Sequence, residues 1–165
     1  MKLNKIHCAD CIEFMSGMDS DSVGVVVTSP PYNMNLRIRG DQFVKRSPSE
    51  KRKYQNYHDA MPMDDYFRWQ RDCIWEMIRV SSGYVFYNTQ IVTGNKRALF
   101  SLIGEFSDLI KEVIIWDKIN SEPAMLSGVL NSQFEMILCF SKHTSISRQF
   151  KDCSFERGTM ANVIR

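Results

Sequence analysis

The chain contains no apolar run approaching the roughly eighteen residues of a membrane span, and its opening, MKLNKIHCAD, lacks an apolar signal core. Both absences lead us to expect a cytoplasmic protein without a membrane partner. Its five cysteines (Cys8, Cys11, Cys73, Cys139 and Cys153) are an odd number in a chain of 165 residues, which excludes a small secreted disulfide framework. Only Cys8 and Cys11 stand at ligand spacing, no second pair completes a zinc site, and His7, His58 and His143 are scattered, so no metal is expected. Neither H-x-E nor P-C-x-x-C occurs, which excludes a zinc nucleobase deaminase. Glycine is sparse too: of Gly17, Gly24, Gly40, Gly83, Gly94, Gly104, Gly128 and Gly158, no two stand two apart, so no G-x-G turn can bring backbone close to a ligand.

What is present reads as one globular domain. Hydrophobic residues make up 44% and charged residues 24% of the chain. A fold of this size buries about 70% of its unfolded surface, enough for a core. The net charge is only +2, but it is unevenly placed. Arg37, Arg39, Lys45, Arg46, Lys51, Arg52 and Lys53 face only Asp41 and Glu50 over residues 37–53, a segment of net +5 that leaves −3 for the remainder. Such a run suits either a solvated loop, here spanning about 33–62, or a surface that contacts phosphates, and Tyr54 and Tyr57 directly after it favour the second.

The hydrophobic pattern alternates strand and helix. Residues 5–10 form a short strand candidate, and Cys11 to Met18 place Ile12, Met15 and Met18 at helical spacing. Asp19 to Ser22 are a turn. Val23 to Thr28 are continuously apolar, as in a strand covered on both faces. Pro62 and the acidic pair Asp64 and Asp65 open a helix whose inward stripe is Phe67, Ile74, Met77 and Ile78, ending near Gly83. Further strands are expected at 84–88, 112–116 and 134–140, with a helix at 96–106 between the first two. The order predicts an α/β fold with flanking helices and a largely parallel sheet.

In such sheets ligands collect at the carboxyl ends of the strands. Those ends carry Asp10, Ser29 to Tyr32, Asn88, and Trp116 to Lys118. The sequence VGVVVTSPPYN at 23–33 drives a valine strand into two prolines, which fix two φ angles and remove two backbone donors. The Ser29 and Pro30 carbonyls are left to accept from another group, beside the flat face of Tyr32. Rigid acceptors next to an aromatic plate suit a planar group bearing an NH2, such as an extruded nucleobase.

Thr28-Ser29-Pro30-Pro31-Tyr32-Asn33 resembles the Asp/Asn/Ser-Pro-Pro-Tyr/Phe signature of the DNA amino-methyltransferases, which modify cytosine N4 or adenine N6. The segment Cys8-Ala9-Asp10-Cys11 is similar to the G-D-(C/A) segment of these enzymes, and Ile114 to Lys118 with Phe134 to Lys142 resemble their I-W-x-K and E-x-I-L-x-F-x-K strands. Together the resemblance covers residues 5–142. It implies a partial Rossmann-like methyltransferase fold and a DNA methylation activity of the restriction-modification kind, drawing on S-adenosylmethionine.

By the same resemblance, Ser29, Pro30, Pro31 and Tyr32 form the catalytic corner. Ser29 and Pro30 accept from the amino group of a flipped base, Tyr32 stacks on the base, and Trp116 is a second stacking candidate that also reads as a core tryptophan. Asp10 and Ser29 meet the cofactor, although Asp10 equally reads as a helix cap. Serine at position 29 leans toward cytosine N4, with adenine N6 the alternative. The missing glycine turn departs from the family, which implies that residues 1–165 form a single catalytic-half domain whose cofactor-binding half is absent. A complementing chain or self-association then becomes an expected partner besides DNA, and a non-catalytic DNA-binding or regulatory remnant is the competing reading. Replacing Lys51, Arg52 and Lys53 with neutral residues should flatten the dependence of DNA affinity on salt, since each phosphate contact contributes about −0.9 to the log–log slope. An unchanged slope in a filter-binding titration would assign the run to a solvated surface.

Overall fold

The computed structural model describes residues 4–34, 59–122, 127–143, 147–151 and 153–165, together with the backbone of three short strands between 37 and 52. Lys45, Arg46 and Lys53 lie outside the described residues. Helix α1 (Cys11–Ser16) starts where Asp10 caps it: one carboxylate oxygen accepts from the amides of Ile12 and Glu13, each at 3.0 Å. Its partly buried Ile12 and Met15 pack on the core. No strand forms over residues 5–10, contrary to the sequence expectation; Ile6 is fully exposed and nothing described pairs with it, and a strand without a ladder has no stable form.

Strand β1 (Val23–Thr28) follows. Within the basic segment, β2 (Arg37–Arg39), β3 (Gln42–Val44) and β4 (Lys51–Arg52) form a small antiparallel sheet, order β3-β2-β4, whose register sets Arg37 opposite both Val44 and Arg52. The chain then runs through α2 (Met63–Val80), β5 (Ser81–Thr89), α3 (Lys96–Glu105), β6 (Ile110–Glu122), β7 (Ser132–Phe140) and β8 (Val163–Ile164). The main sheet has five strands in the order β1-β5-β7-β6-β8. Strands β1 and β5 are parallel, as are β6 and β8, while β7 runs antiparallel to both its neighbours. The α/β class with flanking helices holds, but the sheet is mixed, because β7 enters between β5 and β6 antiparallel to both.

Alternation along β5 sends Val85 and Tyr87 toward the helices, where Ile74, Leu102, Phe106, Leu138 and Phe140 close a core in which each of these side chains is at most 2% exposed. The Tyr87 hydroxyl reaches Gln70 Oε1 at 2.6 Å in that interior, and Gln70 Nε2 has no partner among the described residues. The opposite face of the sheet carries Tyr84, Phe86 and Asn88. On β1, Val26 packs on the core but Val25 and Val27 are 50% and 76% exposed, so only one face of this strand is covered by described residues. The expected two-sided burial is not met because no described element packs on the face that carries Val25 and Val27.

Close approach of β1 and β5 depends on Gly83, where an added Cβ would collide with the Gly24 carbonyl oxygen. Gly104 in α3 has nothing within 4 Å of its would-be Cβ. Gly83→Ala should therefore destabilise by about 1–3 kcal/mol through forced strand displacement, whereas Gly104→Ala should stabilise by up to about 1 kcal/mol through helix propensity. Urea midpoints of the two variants moving in the same direction would contradict this placement.

Candidate active site

The parallel register sets Thr28 beside Tyr87, which brings Ser29 next to Asn88 at the carboxyl ends of β1 and β5. Ser29 Oγ lies 2.9 Å from Tyr32 Oη and 3.5 Å from Asn88 Nδ2. The Tyr32 hydroxyl donates to Glu135 Oε2 at 2.8 Å, and Asn88 Nδ2 donates to the same oxygen at 2.6 Å and to Tyr32 Oη at 2.9 Å. Lys118 Nζ sits 3.4 Å from Glu135 Oε1 in a pair whose side chains are only 20% and 12% exposed. One polar cluster thus draws on residues from the loop after β1 and from β5, β6 and β7.

The corner itself is pinned from three sides. The Tyr66 hydroxyl on α2 donates to the Pro31 carbonyl at 2.8 Å. Asn33, buried and at a positive φ of 60°, accepts from the Met61 amide at 2.7 Å and donates to the Met61 and Gly94 carbonyls at 3.0 and 2.7 Å. A Cβ at Gly94 would strike the Asn33 carbonyl oxygen, so glycine is required for this close packing. Among the described residues no hydrogen bond reaches the Pro30 carbonyl.

Trp116 pairs across β6 and β7 with Glu135, which puts both on the sheet face of Asn88, and its side chain is 40% exposed. The structure therefore brings Ser29, Pro30, Pro31, Tyr32 and Trp116 to one end of one sheet face. Asp10 stands apart from this hydrogen-bonded cluster as the cap of α1, with its second carboxylate oxygen outside the capping bonds. Arg37, Arg39, Lys51 and Arg52 fall on the small sheet. Asn88 and Lys118 stand at expected strand ends and Glu135 opens the E-x-I-L-x-F-x-K run, so each carries a sequence signal, but their mutual register does not. A cavity of about 750 Å³ lined by Tyr84, Phe86, Ile114, Phe150 and Phe155 opens on the same face and includes none of the expected site residues.

No group of three or more His, Cys, Asp or Glu that could hold a metal occurs among the described residues. Burial pushes the Cys139 thiol up to about 12, with Glu112 adding to the shift, and burial likewise raises that of Cys73. Neither is a ready thiolate nucleophile near neutral pH. No described helix is long and apolar enough to cross a membrane.

A family model described as DNA methylase matches residues 23–156, most of the chain and all of this cluster. The chain belongs to the DNA methylase family. Among curated proteins, the chain is 33% identical over 87 residues to the Type II methyltransferase M.BglII of Bacillus subtilis, covering 52% of the chain and 19% of that protein. It is 25% identical over 142 residues to the Type II methyltransferase M1.MboII of Moraxella bovis, covering 86% of the chain and 47% of that protein. The chain thus spans less than half the length of either relative. Two solved structures share the fold at a TM-score of 0.50: a protein assigned as a DNA modification methylase from Thermus thermophilus, at 17% identity over 87% of this chain and 54% of the other, and the cytosine-N4-specific PvuII DNA methyltransferase, at 16% identity over 81% and 47%. These likenesses establish the Rossmann-like methyltransferase fold class expected from sequence.

Asn33→Ala should remove three hydrogen bonds to partly buried backbone groups and lower stability by about 2–4 kcal/mol, since each such bond contributes about 0.5–1.5 kcal/mol net. Thermal unfolding that leaves the midpoint unchanged would show that the corner is held by other means.

Proposed function

We propose that this DNA methylase is the catalytic half of a DNA amino-methyltransferase that transfers a methyl group to the exocyclic amino group of a base flipped out of the duplex. The observation that carries the reading is the SPPY corner held rigid at the carboxyl end of β1, with an uncommitted Pro30 carbonyl beside Ser29 Oγ. Two acceptors at such a corner fit the two N–H bonds of an amino group, and accepting from them directs the nitrogen lone pair outward. The ring of Tyr32, fixed by its hydroxyl bonds, supplies a face for stacking, a contact worth about 1–3 kcal/mol per base. Trp116, on the same sheet face, is assigned to cover the base from its other side, a reading its pairing with Glu135 supports. Orientation supplies most of the rate in such a site, and no covalent enzyme intermediate is called for.

The methyl donor would be S-adenosylmethionine, whose sulfonium methyl is open to direct attack by the amino nitrogen. One end of that cofactor fits residues present here: the Asp10 oxygen that does not cap α1 can accept from an adenine amino group, and Ser29 borders the reacting centre. The methionine end does not, since no pair of glycines stands two apart. A complementing cofactor-binding segment beyond residues 1–165 accounts for this. The face of β1 that carries Val25 and Val27, uncovered by described residues, is a surface suited to receive it. Cytosine N4 is the favoured target because position 29 is serine, with adenine N6 as the alternative. The basic residues of the small sheet, Arg37, Arg39, Lys51 and Arg52, together with Lys45, Arg46 and Lys53, are assigned to DNA phosphates. A non-catalytic remnant is the second reading, favoured by the same glycine deficit.

The test is to incubate the chain with S-adenosylmethionine and mixed-sequence DNA, with and without a glycine-rich cofactor half, and to analyse digested nucleosides by mass spectrometry. N4-methylcytosine is the expected product, with Ser29→Ala and Tyr32→Ala abolishing it while leaving the circular dichroism spectrum unchanged. Absence of any methylated base in the complemented mixture would favour the remnant.

A further inference from the structure

We infer that Glu135 is a positioning residue that sets the direction of the hydrogen bonds around Ser29, so that the serine oxygen faces the target amino group as an acceptor; this deepens the amino-methyltransferase reading and rests on it. The argument is a count of protons. As a carboxylate paired with Lys118, Glu135 has only acceptors to offer. Both groups that reach its Oε2, the Tyr32 hydroxyl at 2.8 Å and Asn88 Nδ2 at 2.6 Å, must therefore donate. Tyr32 has one hydroxyl proton, and it is now committed. Across the 2.9 Å contact between Ser29 Oγ and Tyr32 Oη, the serine can then only donate. Its single proton points back into the protein, one lone pair faces Asn88 Nδ2 at the long distance of 3.5 Å, and the other is left for the substrate. Asn88 is ordered in the same way: with its NH2 held by Glu135 and Tyr32, its Oδ1 is forced to the far side, where it is buried without a partner among the described residues.

Glutamine at position 135 should reverse this order. Lys118 requires an acceptor, so the amide oxygen turns to Lys118 and the NH2 turns to Tyr32 and to Asn88, whose amide flips to present its Oδ1. Tyr32 must then accept from residue 135 and is free to donate to Ser29, occupying the lone pair that the substrate amino group needs. The shape of the side chain barely changes, which separates this effect from packing.

Neutron diffraction from crystals of the full chain exchanged into deuterium oxide reads the order directly. The expected result is a Tyr32 deuteron on the line to Glu135 and a Ser29 deuteron on the line to Tyr32, both reversed in Glu135→Gln. A Tyr32 deuteron directed at Ser29 in the unaltered chain would overturn the inference. In the complemented methylation assay, Glu135→Gln should lower kcat by about 100–1000-fold with KM for DNA unchanged, the scale of removing one well-placed hydrogen-bond partner from a transition state. Tyr32→Phe, which cuts the relay without altering Glu135, should also lower kcat, and combining it with Glu135→Gln should add little. Full activity of Glu135→Gln would equally overturn the inference. If the unaltered complemented protein transfers no methyl group, the functional reading fails, while the deuteron positions still decide the role of Glu135.

Discussion

Thr28 lies beside Tyr87 because β1 and β5 run parallel in one register, and almost everything at the candidate site follows from that pairing. It sets Ser29, the first residue beyond β1, next to Asn88, near the end of β5. The antiparallel partner β7 then delivers Glu135 to the same point, two residues before Ile137, which pairs with Asn88. The pairing is itself held by the core on the other face, where Val26 and Tyr87 pack against the buried stripes of α2 and α3. Hydrophobic burial on one side of the sheet thereby fixes polar geometry on the other. Glycine at position 83 lets the two backbones come close enough for this to happen.

The corner after β1 carries a second constraint. Proline removes donors, so a loop containing Pro30 and Pro31 cannot hold itself by its own amides. Support comes instead from side chains elsewhere: Tyr66 on α2 binds the Pro31 carbonyl, and Asn33 binds the Met61 and Gly94 backbone. Because these supports belong to α2 and to the segments before α2 and α3, the corner is rigid relative to the sheet. Rigidity of this kind is what a site that works by orientation needs.

Much of this was legible in the sequence. The helical spacing of Ile74, Met77 and Ile78 located α2 and its buried face, and the sequence SPPYN after a valine run marked the family and a candidate site. Two expectations failed for a shared reason. The strand expected at 5–10 and the two-sided burial of β1 depend on what lies alongside, and periodicity along one segment carries no information about its neighbours. The same limit hid Glu135. It stands 103 positions from Tyr32, and only the register of β5, β6 and β7 brings the two within 2.8 Å. Asn33 was similarly silent, since its partners at Met61 and Gly94 are distant in the chain.

The pairing of Glu135 with Lys118 is better understood as geometry than as stability. Both side chains are largely removed from solvent, and the desolvation of two charges offsets much of their attraction, so replacing such pairs with apolar residues is often neutral or stabilising. What an apolar pair could not do is distinguish a donor from an acceptor. A hydroxyl can play either part, and Ser29 and Tyr32 in isolation could exchange roles freely. Adding an acceptor-only group at one end of the chain removes that freedom, and adding a donor-only ammonium beyond it fixes which carboxylate oxygen faces inward. The fold thus places a charged pair, of modest value to stability, where it gives a neutral serine a definite direction.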